Sequence, residues 1–137
     1  MSRVRSRRSL IDYSLARRAT LAALTNGRGI RSDSCDAHPY LLRAAKYHGE
    51  PTSDPCPVCR HGPLVRVSYT YGEELGEYSG RARRTRELAA MEEAYAEFTV
   101  YEVEVCRDCG WNHLTVSYLL GSAEQRARGR RRRAAHP

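Results

Sequence analysis

Cys56-Pro57-Val58-Cys59 and Cys106-Arg107-Asp108-Cys109 decide how this chain folds. A soft divalent cation takes four thiolates in a tetrahedron, and two loops that each offer sulfur at i and i+3 supply that geometry. The two motifs therefore predict one structural zinc ion (Zn2+) held by Cys56, Cys59, Cys106 and Cys109. Pro57 presets φ for the turn after the first ligand. Gly110, directly after Cys109, offers the positive φ that turns backbone N–H groups toward the sulfurs. In the first loop Arg60 stands in that place, and the glycine comes late, at Gly62. Arg60 and Arg107 each follow a ligand by one residue; they either offset part of the negative charge of a four-thiolate site or are simply solvated, as surface charges usually are.

Outward from these loops the sequence alternates. Val65, Val67, Tyr69 and Tyr71 interleave with Arg66, Ser68 and Thr70. Tyr101, Val103 and Val105 interleave with Glu102 and Glu104, and Leu114, Val116, Tyr118 and Leu120 with Thr115 and Ser117. Three period-two runs, one entering the second loop and two leaving a loop, predict a three-stranded antiparallel zinc ribbon. The 46 residues between Cys59 and Cys106 exceed the common ribbon spacing, so an insertion is expected at about 72–96. Its later half reads as a helix, because Leu88, Met91, Tyr95 and Phe98 form a stripe suited to packing on the sheet.

The fold class is thus α+β: short N-terminal helices, then the ribbon with its helical insertion. Residues 12–26 read as a helix with Asp12 as N-cap and Asn26-Gly27 as stop. A second runs from about Pro39 to Tyr47, with Asp36 near its start and His48-Gly49 at its end. The expected organisation is a basic tail at 1–9, a helical region at 10–49, the elaborated ribbon at 50–121 beginning with a linker at 50–55, and an Arg-rich tail at 122–137.

Charge follows that division. The chain carries 22 arginines and one lysine, Lys46, and a net charge of +7. Arg3, Arg5, Arg7 and Arg8 open it, and Arg126, Arg128, Arg130, Arg131, Arg132 and Arg133 close it; residues 9–125 keep a net charge of −3. Basic ends of this kind neutralise phosphates or serve only to solubilise. No run of 18 apolar residues and no signal-peptide pattern appears, so neither a membrane span nor secretion is expected. Five cysteines without a secretion signal point to a reducing cytoplasm.

Sharper chemistry fails on spacing. His48-Gly49-Glu50 before Pro55-Cys56 matches the letters of a zinc deaminase, but only Pro51 to Asp54 separate two motifs that open separate helices in those enzymes. A redox dithiol needs its Cys-x-x-Cys to open a helix, and Arg60-His61-Gly62-Pro63 breaks one at once. Cys35 and His38 form a Cys-x-x-His pair, for which a buried structural role is expected given four better ligands. His61 and His113 are expected beside the loops without ligating. Trp111 is expected to cover the metal loop, with base stacking as the competing reading. No catalytic Ser/His/Asp set, paired carboxylates or phosphate-cradling glycine loop appears, so the protein is not expected to be an enzyme.

The run from Cys35-Asp36-Ala37-His38-Pro39-Tyr40 through Ala45, followed by Cys56-Pro-Val-Cys59 and Cys106-Arg-Asp-Cys109-Gly110-Trp111, resembles a family of small actinobacterial proteins carrying a domain of unknown function. The resemblance covers about residues 10–121. It implies a bacterial cytoplasmic protein with a helical N-terminal part and a zinc ribbon, and it implies no activity.

The function expected is that of a non-enzymatic zinc-ribbon protein that docks onto a nucleic acid or nucleoprotein machine, such as the transcription or translation apparatus. The C-terminal arginines, Arg126 to Arg133, would contact phosphate. The alternatives are a protein–protein adaptor without nucleic-acid binding and a zinc-thiolate redox switch. The second helix offers only Arg43 and Lys46 to a groove, which argues against sequence-specific DNA reading.

Overall fold

The three alternating runs become the centre of a larger sheet. The computed structural model describes residues 7–26 and 35–135. Its elements run β1 (Arg8–Asp12), α1 (Ser14–Thr25), α2 (Pro39–His48), β2 (Glu50–Pro55), β3 (Pro63–Tyr71), a 3-10 turn (Glu73–Tyr78), β4 (Arg81–Arg83), α3 (Thr85–Ala94), β5 (Phe98–Val105), β6 (Asn112–Leu120) and α4 (Ala123–Ala135). All six strands join one antiparallel sheet in the order β1-β6-β5-β3-β2, with β4 beside the second half of β3. The fold is therefore mixed α/β, and the sheet has six strands where three were expected.

Each added strand has a local reason for having been illegible. Residues 50–55 hold two prolines and read as a linker, yet they form β2 on the edge, where a missing N–H breaks no ladder. Thr52 adds a side-chain bond, its hydroxyl donating to the Leu64 carbonyl at 2.8 Å. β1 straddles the boundary expected at residue 9 between the basic tail and the helical region; it pairs with β6 through an interrupted register, with Ser9 at φ 52°. β4 is three residues hidden in the insertion.

Alternation sorts the centre of the sheet into two faces. On one, Phe98 and Val100 of β5 pack with Tyr118 and Leu120 of β6 under Leu88 of α3, joined by Leu75, Met91 and Tyr95. The stripe Leu88, Met91, Tyr95, Phe98 does meet the sheet, but the helix ends at Ala94 and Phe98 already belongs to β5. On the other face Val65, Val67 and Val105 lie against Ala44 and Ala45 of α2. Gly49 lets α2 turn directly into β2: a Cβ there would sit 2.3 Å from Val65 Cγ1 and 2.4 Å from the Ala45 carbonyl oxygen.

The N-terminal helices form close to their expected bounds. The N-cap of α1 is Tyr13, one residue past the expected Asp12, which ends β1 while its Oδ1 accepts from the Ser14 N–H at 2.7 Å; Asn26 ends α1, and Gly27 lies outside the described residues. Leu21 and Leu24 turn inward while Leu15 is 75 % exposed. At the C-terminus the expected tail is a helix over Ala123–Ala135, opened by Ser122, whose hydroxyl accepts from the Gln125 N–H at 3.2 Å. Of the N-terminal arginines, Arg3 and Arg5 lie outside the described residues. Arg8 opens β1, and Arg7 lies 3.7 Å from Glu102 with its guanidinium over the Tyr118 ring.

Candidate metal centre

The strand ends carry the two cysteine loops to one end of the sheet. β2 enters and β3 leaves the first; β5 enters and β6 leaves the second. Both loops are built alike. The Arg60 N–H reaches the Cys56 carbonyl at 3.1 Å, and the Gly110 N–H reaches the Cys106 carbonyl at 2.9 Å. The Val58 N–H points at Cys56 Sγ and the Trp111 N–H at Cys109 Sγ, both at 3.4 Å. Gly110 takes φ +88°, as its sequence suggested, and Arg60 takes φ +65° in the same place. The first loop thus keeps the turn and accepts a left-handed arginine, at a cost of roughly 1 kcal/mol. Neither Arg60 nor Arg107 forms an ion pair among the described residues, and both are exposed. Their side chains are solvated.

The four sulfurs converge. All lie within 4.8 Å of one another, with Cys59–Cys106 at 3.5 Å and Cys56–Cys109 at 3.7 Å. Thiolates around a tetrahedral ion with bonds of about 2.3 Å stand about 3.8 Å apart, whereas a disulfide would bring a pair to about 2 Å. The donor set therefore fits a metal ion and leaves the cysteines as free thiols. The His61 N–H holds the Cys59 thiol down at about 6, while burial pushes the Cys106 and Cys109 thiols up.

The centre is covered on its inner side, with Cys59 and Cys109 half-buried. Cys56, Cys106 and Trp111 are fully buried with Leu64, and Leu21 and Leu24 of α1 complete the cover. The Trp111 ring offers no face to a base, so the stacking reading fails on burial. Its indole N–H donates to Glu104 Oε2 at 2.7 Å, and both Glu104 oxygens accept from Arg17 Nε at 2.9 Å. That chain ties α1 to the second loop. Arg17 and Glu104 were not singled out by the sequence, because their 87-residue separation leaves no local signal. His113 stacks on Trp111 at 5.9 Å, and its Nδ1 lies 2.7 Å from the Leu114 carbonyl.

The Cys35/His38 pair separates into two roles. His38 is the N-cap of α2, its Nδ1 accepting from the Tyr40 N–H at 3.1 Å. Cys35 instead turns to the centre, its Sγ 3.7 Å from Cys109 Sγ, and joins the same cluster. Its segment docks on the second loop through the Ala37 N–H to Gly110 carbonyl bond at 3.0 Å. A Cβ on Gly110 would sit 3.0 Å from the Cys35 carbonyl oxygen, so the glycine serves close approach as well as the turn.

The C-terminal arginines lie away from the thiols and are not equivalent. Arg126 donates to the Ala96 carbonyl at 2.9 Å and Arg128 pairs with Glu124 at 2.8 Å. Arg130, Arg131, Arg132 and Arg133 have no partner among the described residues. No described helix is long and apolar enough to cross a membrane.

Comparison with known proteins places this centre in a family. An uncharacterized protein of Mycobacterium bovis and uncharacterized proteins of two Mycobacterium tuberculosis strains are each 52 % identical over 113 residues, covering 82 % of this chain and 82 % of theirs. No solved structure matches. Residues 4–135 match the family model, which takes in both cysteine loops and every described strand and helix, and the chain belongs to DUF5318, a family of unknown function.

Proposed function

We propose that this is a non-enzymatic protein in which Cys56, Cys59, Cys106 and Cys109 hold one structural zinc ion, and that it docks onto a nucleic acid or nucleoprotein machine in the cytoplasm through phosphate contacts made by α4. The zinc reading rests on the donor set: four thiolates at tetrahedral spacing, with Cys56 and Cys106 fully buried. The docking reading is carried by one observation, the four arginines from Arg130 to Arg133 on a single helix with no partner among the described residues. Such a surface neutralises phosphates without reading bases.

Metal analysis of protein purified without added zinc tests the first part, with one zinc per chain expected. Titration of duplex and single-stranded nucleic acid across a salt series tests the second. Affinity should fall linearly on a log–log plot, and removal of residues 130–133 should flatten the slope by about 0.7–0.9 per lost contact. An affinity untouched by that removal refutes docking through α4.

A second reading, the redox switch, is favoured by the 3.7 Å approach of Cys35 to Cys109. A peroxide would oxidise the Cys109 thiolate to a sulfenic acid and leave as hydroxide. The Cys35 thiol would then close a disulfide with release of water, and the site would lose a ligand. Stoichiometric zinc release by hydrogen peroxide, lost in Cys35→Ser, is the outcome this reading requires.

A further inference from the structure

A groove of about 640 Å³ runs between α4 and the strand ends where β3 stops and β5 begins, at a distance from the thiol cluster in the fold and without any cysteine in its lining. That volume lies in the range of small-ligand sites. Three of its features go unexplained by folding. Arg130 and Arg133 lie on the face of α4 that lines the groove, one turn apart, with no partner among the described residues. Tyr71 stands on the opposite wall, 45 % exposed although its ring meets Tyr101 edge-on at 5.5 Å. Gly129 sits mid-helix between the arginines, and a Cβ there would meet nothing within 4 Å. Glycine weakens a helix interior, so an open space in front of it has no structural benefit to α4.

The groove's lining carries four arginines, Arg126, Arg130, Arg132 and Arg133, against three glutamates, Glu73, Glu74 and Glu97, and so keeps a net charge of +1. Glu74 accepts from the Ala96 and Glu97 N–H groups at 3.1 and 3.3 Å. Glu97 pairs with Arg8 at 3.3 Å. Glu73 remains, without a partner among the described residues.

We propose that this groove binds a nucleoside phosphate. The guanidinium groups of Arg130 and Arg133 take the phosphate, since planar forks match its oxygens two at a time. The Tyr71 ring stacks on the base, a contact open to any base because each has a π-face. Glu73, an acceptor only, takes hydrogen bonds from a base amino group or ribose hydroxyls. Gly129 leaves the room that the ligand fills. The proposal does not rest on polymer docking, which needs only exposed charge, whereas this site needs the groove itself.

Calorimetric titration of the full chain with the four ribonucleoside 5′-monophosphates, ribose 5-phosphate and inorganic phosphate tests it. At least one nucleotide should bind roughly tenfold or more tightly than ribose 5-phosphate, as loss of one stacked ring implies. Gly129→Leu keeps every charge and favours helix, so it should abolish nucleotide binding while salt-dependent polymer binding persists. Arg130→Gln should weaken the nucleotide by about tenfold or more, the loss of a charge-assisted bond, and Arg128→Gln should not. Circular dichroism of Gly129→Leu should show helix retained or increased. Nucleotide binding that survives Gly129→Leu, equal affinity for ribose 5-phosphate, or no nucleotide binding at millimolar concentration overturns the proposal, and none of these outcomes touches polymer docking.

Discussion

Replacing Trp111 with phenylalanine separates a structural cover from a ligand contact, because the two roles predict opposite outcomes. The indole is fully buried, and its N–H donates to Glu104 at 2.7 Å. A hydrogen bond to a charged group contributes about 1.5–3 kcal/mol. Glu104 keeps both contacts from Arg17, so the low end, about 1.5 kcal/mol, applies. The smaller ring leaves buried space worth roughly two methylene-sized groups, about another 1.5 kcal/mol. The expected loss is about 3 kcal/mol, a large share of the 5–15 kcal/mol typical of a domain. Urea unfolding at fixed zinc should show it as a midpoint lower by about 1.5 M, for a slope near 2 kcal/mol/M. Trp111 is the only tryptophan, so far-ultraviolet circular dichroism must follow the variant. A midpoint within about 0.25 M of the parent would refute the cover argument and the Glu104 bond with it.

Three further outcomes follow from the centre. Cys109→Ser should lower bound zinc below one per chain while Cys35→Ser keeps it at one, since only the former removes one of the four converging sulfurs; full occupancy in Cys109→Ser contradicts the ligand assignment. Arg60→Gly should raise stability by about 0.5–1 kcal/mol in the zinc-bound protein by relieving a left-handed arginine, and a loss of stability would mean that its side chain serves the site. Apparent zinc affinity should fall as pH is lowered: burial holds the Cys106 and Cys109 thiols protonated above their usual range, so the ion must displace those protons, and competition titrations that give one affinity across the neutral range would contradict this.

What the sequence exposed and what it hid follow from the range of the signals. Cysteine spacing and strand alternation are local patterns, and they located the four sulfurs and β3, β5 and β6. Gly110 declared its own turn. Arg60 did not, because its left-handed φ is imposed by the Cys56 carbonyl it must reach. β1 and β2 are edge strands, one straddling the end of the basic tail and the other proline-bearing like a linker; only pairing with β6 and β3 makes them strands. Cys35 looked like half of a Cys-x-x-His pair, yet its partner in space is 74 residues away. The six C-terminal arginines looked alike, and the helix divides them among a carbonyl contact, an ion pair and positions with no partner among the described residues.

The larger sheet also changes what metal removal should do. A three-stranded ribbon tied only at its loops would depend on zinc for folding altogether, since binding contributes of order 10 kcal/mol in such units. Here two of the three buried clusters contain no ligand: one under α3, holding Phe98, Val100, Tyr118 and Leu120, and one under α2, holding Val65, Val67 and Ala45. Pairing of β3 with β5 continues for seven residues from Val65–Val105 to Tyr71–Thr99, away from the loops. Losing the ion should therefore release the loops, Trp111 and the inner side of α1, but leave the opposite end of the sheet intact. Chelation should red-shift Trp111 emission in a first step that precedes global unfolding. Amide exchange should become fast at Cys59 to Gly62 and Cys109 to Asn112, while Val100 and Tyr118, buried to within 1 % exposure, stay protected. Simultaneous loss of protection at both ends would show that the metal holds the whole sheet, and that the two ligand-free clusters cannot sustain a fold by themselves.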